Sequence, residues 1–271
     1  MPGSDAAATH AGPRRRALVT GASSGIGAGF VEALARRQWD LVLVARRRER
    51  LAEMAKRLRE RREIEVEIEA ADLTEPADLA RVVASIEASV PDLLVNNAGM
   101  GSLGEFAGLD PAREMAQVQL NVAAPLRLSR AALPGMIARG HGSIINVSSL
   151  AGFQPIPFNA TYGATKAFVL SFSEALHEEL RGTGVHVQVL CPGFTRTEFQ
   201  EQAGMDASGV PGFAWMEVDQ VVEASLHGLE RGELLCIPGP ANRLLAALQR
   251  AAPHALTRRL AREVLSRTLG D

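Results

Sequence analysis

Short unbroken apolar runs alternate along this chain with longer segments whose apolar residues return every three to four positions. Residues 17–20 form the first run, a glycine-rich stretch follows at 21–27, and residues 30–37 carry Phe30, Val31, Leu34 and Ala35 at helical spacing. That is a strand, a turn and a helix. A second run at 41–45 leads into a charged helix at 49–62 and a third strand at 64–70. The alternation continues with a helix near 77–89, a strand at 93–96, a long helix within 111–138, a strand at 143–147, a helix at about 160–181 and a strand at 185–191. Strands that are apolar throughout, rather than at every second position, are those buried on both faces of a parallel sheet. The expected fold is α/β, a doubly wound parallel sheet of about seven strands with right-handed crossovers and helices on both faces, in a single domain.

After Pro192 the periodicity lapses. Residues 195–217 mix Gly, Pro, Met, Phe and Trp without a repeat, as a loop shaped for one task does. A helix at 218–231 and a short strand at 233–237 complete the sheet. Residues 241–269 read as two amphipathic helices divided at Pro253, with Leu244, Leu245 and Leu248 on the first and Leu256, Leu260 and Val264 on the second. The expected organisation is a disordered tail at 1–13, a folded domain at 14–240 and a helical extension at 241–271.

Composition narrows the function class. Of 271 residues, 46% are hydrophobic and 22% charged, ample for a buried core. A formal net charge of −2 offers no basic face for nucleic acid, and none is expected as a partner. Cys191 and Cys236 form neither a disulfide framework nor a CxxC pair; both are expected in the core, and no metal site is expected. The stretch 1–13 precedes Arg14, Arg15 and Arg16 without an apolar signal core, and no run reaches the roughly 18 apolar residues of a membrane span. A soluble, cytoplasmic protein is expected.

Candidate chemistry begins where the first strand meets the first helix, at Thr20, Gly21, Ala22, Ser23, Ser24, Gly25, Ile26 and Gly27. Backbone N–H groups and the positive helix end converge there, a setting for the pyrophosphate of a dinucleotide. The GxxxGxG spacing departs from GxGxxG, and a tight connection without a ligand would use the same glycines. Folds of this kind that take NAD place an acid at the end of the second strand, about twenty residues on. Here that end reads Val44, Ala45, Arg46, Arg47, Arg48. A guanidinium at Arg46 suits a ribose 2′-phosphate, so NADP(H) is expected over NAD(H). The alternative is a solvated helix face supported by pairs such as Glu53 and Arg57.

Tyr162 and Lys166, four apart on an expected helix, share one face. A phenol of pKa about 10 is protonated at neutral pH, and a nearby ammonium draws that value down, making tyrosine a usable acid and base. The pair alone arises by chance in many helices. Ser149, thirteen residues before Tyr162, adds a third group at the end of an expected strand, where open α/β sheets bind ligands. Ser148 is the neighbouring alternative.

These residues resemble the short-chain dehydrogenase/reductase family. Over about 15–237 the chain carries, in the family's order, the turn at 20–27, Asp72, the run Asn96, Asn97, Ala98, Gly99, then Asn121, Ser149, Tyr162 with Lys166, and Pro192, Gly193, Thr195 and Thr197. The resemblance implies a Rossmann-type fold and hydride transfer between NADP(H) and a carbonyl or secondary alcohol. By the same resemblance Tyr162 is the general acid and Ser149 holds the carbonyl oxygen. Lys166 bonds the nicotinamide ribose and lowers the Tyr162 pKa, while Asn121 holds a relay water. Gly21, Ser23, Ser24, Gly25, Ile26, Gly27, Arg46, Asp72, Leu73, Asn97, Ala98, Gly99, Pro192, Gly193, Thr195 and Thr197 are implied to line the cofactor, with Tyr162 and Lys166. Asp72 could instead cap the following turn, and Asn96 could bind only neighbouring backbone in the sheet.

Phe153, Ile156 and Phe158 before Tyr162, with Phe199, Met205, Phe213, Trp215 and Met216 after Pro192, point to an apolar ketone or aldehyde substrate. Each either lines the pocket or packs the loop on the body. From Ala241 onward six arginines stand against Glu263 and Asp271. Packing on the body or a partner subunit is favoured there over contact with an anionic membrane surface, because the helices are short and broken at Pro253. The resemblance implies a homo-oligomer, dimer or tetramer, formed through the helices at 111–138 and 160–181. A reading from another class is an NADP(H)-binding regulator or scaffold without turnover, which has no need of Ser149 with Tyr162.

Overall fold

A computed structural model describes residues 14–205 and 210–251. The tail expected at 1–13 and the helix expected beyond Pro253 lie outside the described residues. Seven strands, β1 (Arg16–Thr20), β2 (Asp40–Ala45), β3 (Val66–Ala70), β4 (Leu93–Asn96), β5 (Gly142–Val147), β6 (Val185–Leu190) and β7 (Leu235–Cys236), form one parallel sheet. Their order is β3-β2-β1-β4-β5-β6-β7. The winding reverses between β1 and β4, so a crevice opens beyond the C-terminal ends of the strands there.

Consecutive residues of a strand point to opposite faces, which is why these runs are apolar throughout. On one face α1 (Gly25–Arg36), α2 (Arg48–Arg61) and α8 (Val218–Glu230) bury Phe30, Leu34, Leu51, Val221 and Val222 against Leu41, Leu43 and Ile145. On the other, α3 (Pro76–Ala88), α5 (Ala124–Arg139) and α6 (Ala160–Glu179) bury Leu79, Val82, Ile86, Leu128 and Leu176 against Val42, Val44, Leu94 and Ile144. Fully burying such side chains stabilises the fold by about 1.5–3 kcal/mol each before chain entropy is counted. Cys191 and Cys236 are both buried.

Three elements differ from the sequence reading. The single helix expected within 111–138 is α4 (Pro111–Val118), a π turn at Gln119–Ala123, and then α5. Pro125 has no N–H to return to the carbonyl of residue 121, and the helix widens there rather than running straight through. The last strand keeps two residues instead of five, Leu235 and Cys236 pairing with Val189 and Leu190 of β6. The loop after β6 holds one helical turn, α7 (Phe199–Gln202). Beyond β7, α9 (Pro240–Ala251) folds back on the body, burying Ala246 with Leu150, Phe153, Leu170, Val189 and Cys191. Among the described residues no helix is long and apolar enough to cross a membrane.

Candidate active site

A cavity of about 520 Å³ occupies the crevice beyond β1, β2, β4, β5 and β6. One end is the turn between β1 and α1. Gly21 has φ +66°, a conformation that costs other residues a steric penalty, and a Cβ on Gly27 would collide with the Gly21 carbonyl. Ser24 sits at the N-cap of α1 without a side-chain cap bond, so the first-turn amides keep their capacity for an anion. Gly21, Ser23, Ser24, Gly25 and Ile26 line the cavity, while Gly27 lies behind them and lets the turn close.

The end of β2 brings Arg46 and Arg47 to the same place. Arg46 is exposed and lies 3.7 Å from Asp72. Arg47 points at the glycine turn, donating to Ser23 Oγ at 3.1 Å and Ser24 Oγ at 2.7 Å, and pairs with Glu198 at 3.0 Å. Arg48 opens α2 and is not among the residues lining the cavity. Asp72 does cap its turn, accepting from Thr74 N at 3.0 Å and Thr74 Oγ1 at 2.7 Å, and it lines the cavity beside Leu73.

Asn97 ties β4 to the turn. Its backbone N–H and that of Ala98 donate to Thr20 Oγ1, each at 3.0 Å, and its side chain donates to the Thr20 carbonyl at 2.9 Å. The Asn96 side chain bonds no neighbouring backbone; its Nδ2 donates to Asn146 Oδ1 of β5 at 2.8 Å and to Ser129 Oγ of α5 at 3.1 Å. Asn97, Ala98 and Gly99 all line the cavity.

Ser149, Tyr162 and Lys166 come together at the end of β5 and the start of α6. Ser148, the alternative, is engaged elsewhere: its hydroxyl donates to the Lys166 carbonyl at 2.7 Å. Lys166 Nζ donates to the Val147 carbonyl at 2.9 Å and stands 5.6 Å from the centre of the Tyr162 ring. A Cβ added to Gly99 would stand 3.5 Å from Lys166 Nζ and 3.2 Å from Asn121 Oδ1, so any side chain there crowds this centre.

Burial pushes the Tyr162 phenol up to about 12, against the hydrogen-bonding influence of Ser149, which pulls it down. Burial likewise brings Lys166 down to about 8. For Tyr162, desolvation of the phenol outweighs its polar neighbours. Asn121 Oδ1 accepts from Met100 N at 3.0 Å, and its Nδ2 donates to Met100 O at 2.9 Å and Thr165 Oγ1 at 3.0 Å.

Pro192, Gly193, Thr195 and Thr197 form the wall after β6. Thr195 Oγ1 donates to the Gly193 carbonyl at 3.2 Å, and Thr197 Oγ1 accepts from Phe199 N at 3.2 Å. Of the apolar candidates, Ile156, Phe199 and Met205 line the cavity, the Phe199 ring centre lying 5.5 Å from that of Tyr162. The others do not. Phe153 packs under α9, Trp215 against Phe194, Met216 on the core beside α8, and Phe213 is 83% exposed. Phe158 turns the chain at φ 62°, a strained conformation for a bulky residue that costs about 1–3 kcal/mol.

Several lining residues escaped the sequence reading: Arg47, Phe194, Asn159, and Asn242, Leu245 and Gln249 of α9. Arg47 carried a signal, the triple arginine, without a means of choosing its member. The α9 residues carried none, since only the folded chain brings 242–249 over the strand ends.

The model of the family described as short chain dehydrogenase matches residues 15–207. A solved short-chain dehydrogenase from Sphingobium yanoikuyae, in complex with NADPH, is 44% identical, with TM-score 0.81 over 86% of this chain and 91% of that one. The bulky-bulky ketone specific alcohol dehydrogenase from Comamonas testosteroni is 37% identical, with TM-score 0.75 over 89% of this chain and 96% of that one. Ketoacyl reductase HetN of Nostoc is 35% identical over 65% of this chain, and the match spans 62% of that relative's length. The chain belongs to the short-chain dehydrogenase/reductase family of oxidoreductases.

Proposed function

We propose that this protein reduces apolar ketones or aldehydes with NADPH, Tyr162 supplying the proton. The observation that carries this reading is one cavity with Ser149, Tyr162 and Lys166 between a bare glycine turn and an apolar wall. The residues fit a dinucleotide: uncapped α1 amides for the pyrophosphate, and Gly99 leaving space against Lys166. When bound, NADPH supplies the hydride. Tyr162 then gives its proton to the carbonyl oxygen, a phenol being protonated at neutral pH before the step. Ser149 holds the oxygen. Lys166, protonated at neutral pH with a value of about 8, bonds the ribose and favours the phenolate left behind. Asn121 holds the relay water.

Preference for NADPH rests on Arg46 and Arg47 and on the absence of an acid at Ala45. Two similar proteins speak for the substrate class, since one is named for bulky ketones and the other for ketoacyl reduction. Titrating NADPH and NADH by nicotinamide fluorescence tests the cofactor. NADPH should bind at least tenfold tighter, about 1.4 kcal/mol, and Arg46→Ala and Arg47→Ala should each erode that margin. Equal affinity for the two nucleotides would contradict it.

A further inference from the structure

Two of the three arginines that follow β2 line the cavity, and each already has a carboxylate partner. Arg46 meets Asp72 loosely, at 3.7 Å. Arg47 is held more closely. Its Nη1 donates to Glu198 Oε2 at 3.0 Å, its Nε and Nη2 donate to Ser23 Oγ at 3.2 and 3.1 Å, and Nη2 also reaches Ser24 Oγ at 2.7 Å. These bonds use most of the N–H donors of the guanidinium. Glu198 belongs to the loop after β6, which lies on the glycine turn: a Cβ on Gly25 would stand 3.1 Å from Thr197 Cγ2. The Glu198 carboxylate has a second partner in Arg50 Nη1, which donates to Oε1 at 2.8 Å and to Oε2 at 3.2 Å. Hydrogen bonds from Arg47 and then Arg50 hold this carboxyl below its ordinary range, so it is ionised at neutral pH. Glu198 lines the cavity with Ser23, Ser24 and Arg47, whereas Arg50 is not among the lining residues.

A phosphate is gripped by arginine through two parallel N–H bonds. A ribose 2′-phosphate arriving at Arg47 meets a guanidinium whose Nη1 is already given to a carboxylate, and two anions on one cation repel each other. We infer that Glu198 is a cofactor-specificity residue that competes with the 2′-phosphate of NADPH for Arg47, Arg50 retaining the carboxylate when Arg47 turns to the phosphate. NADH carries a hydroxyl at that position and escapes the competition. This rests on the NADPH reading and deepens it, since the selectivity supplied by the arginines is set below its limit by an acid from the substrate loop.

The test measures NADPH and NADH dissociation constants by nicotinamide fluorescence on the native protein, Glu198→Gln, Arg50→Ala and the double variant. Glu198→Gln keeps the shape and an amide oxygen for the arginines while removing the charge. It should tighten NADPH about fivefold and NADH less than about twofold, the scale of a part-exposed ion pair. Arg50→Ala takes away the carboxylate's second partner and should weaken NADPH about threefold, but should change nothing when Glu198 is already Gln. An equal gain for both nucleotides in Glu198→Gln would mean general attraction of the pyrophosphate. Unchanged or weaker NADPH binding there would make Glu198 a support for Arg47 and no competitor. A loss from Arg50→Ala that persists in the double variant would put Arg50 itself on the phosphate. Each of these overturns the inference. Equal affinity of the native protein for the two nucleotides would instead count against the NADPH reading alone, because a selective gain in Glu198→Gln is read against the native values. Failure of the native protein to bind either nucleotide would overturn both.

Discussion

Lys166 has lost nearly all its water: it is 4% exposed, with a carbonyl and no carboxylate as its hydrogen-bond partner. Burial disfavours the ammonium and lowers its value to about 8, against the usual 10.5. Between those values the unfolded chain binds more protons than the folded one, so stability rises with pH through that window. The rise is worth about 3 kcal/mol. Burial raises the Cys191 and Cys236 thiols and works the other way above their unfolded value, so the rise is read as a difference: in urea unfolding at stepped pH the native protein should gain on Lys166→Met across the window. Parallel curves for the two would mean that Lys166 is hydrated in solution. Ser149, Tyr162 and Lys166 were legible as a set because their spacings, thirteen and four, place a strand end beside one helix face. Their electrostatics were not, since desolvation depends on what covers them.

Among the elements, the strands were the most legible, because unbroken apolar runs such as 41–45 can be satisfied only between two layers of helices. The π turn at Gln119–Ala123 was not, although Pro125 stood in plain view. Apolar periodicity passes through a proline without marking how the backbone adjusts to the lost bond. Least legible was α9, whose amphipathic pattern suits many surfaces and which packs over Phe153 and beside Tyr162's cavity. Arg250 lies 5.8 Å from the Phe153 ring and 3.9 Å from Glu174, holding the far end of the helix down. Ala246, 1% exposed, is the point of closest packing. Ala246→Glu would bury an unpaired carboxylate and should dislodge α9, raising KM for bulky ketones about tenfold while short ketones are affected less. An unchanged KM would show that α9 is no wall of the substrate site.

At the scale of the whole molecule, helices α5 and α6 present exposed Leu126 and Phe168 on the outer side of the sheet, where the family resemblance placed a subunit contact. The protein should sediment as a dimer or larger, and Phe168→Glu should shift it toward monomer; a monomeric native protein would contradict the contact. The fold gathers residues from 21 to 249 beyond the C-terminal ends of the strands, in one cavity. The decisive measurement is NADPH consumption with an apolar ketone by the native protein and by Tyr162→Phe, each with its NADPH affinity determined. Native turnover with a loss of about 10²–10⁴-fold in the variant, at similar NADPH affinity, is the predicted result. A Tyr162→Phe protein that reduces the ketone at the native rate would contradict it.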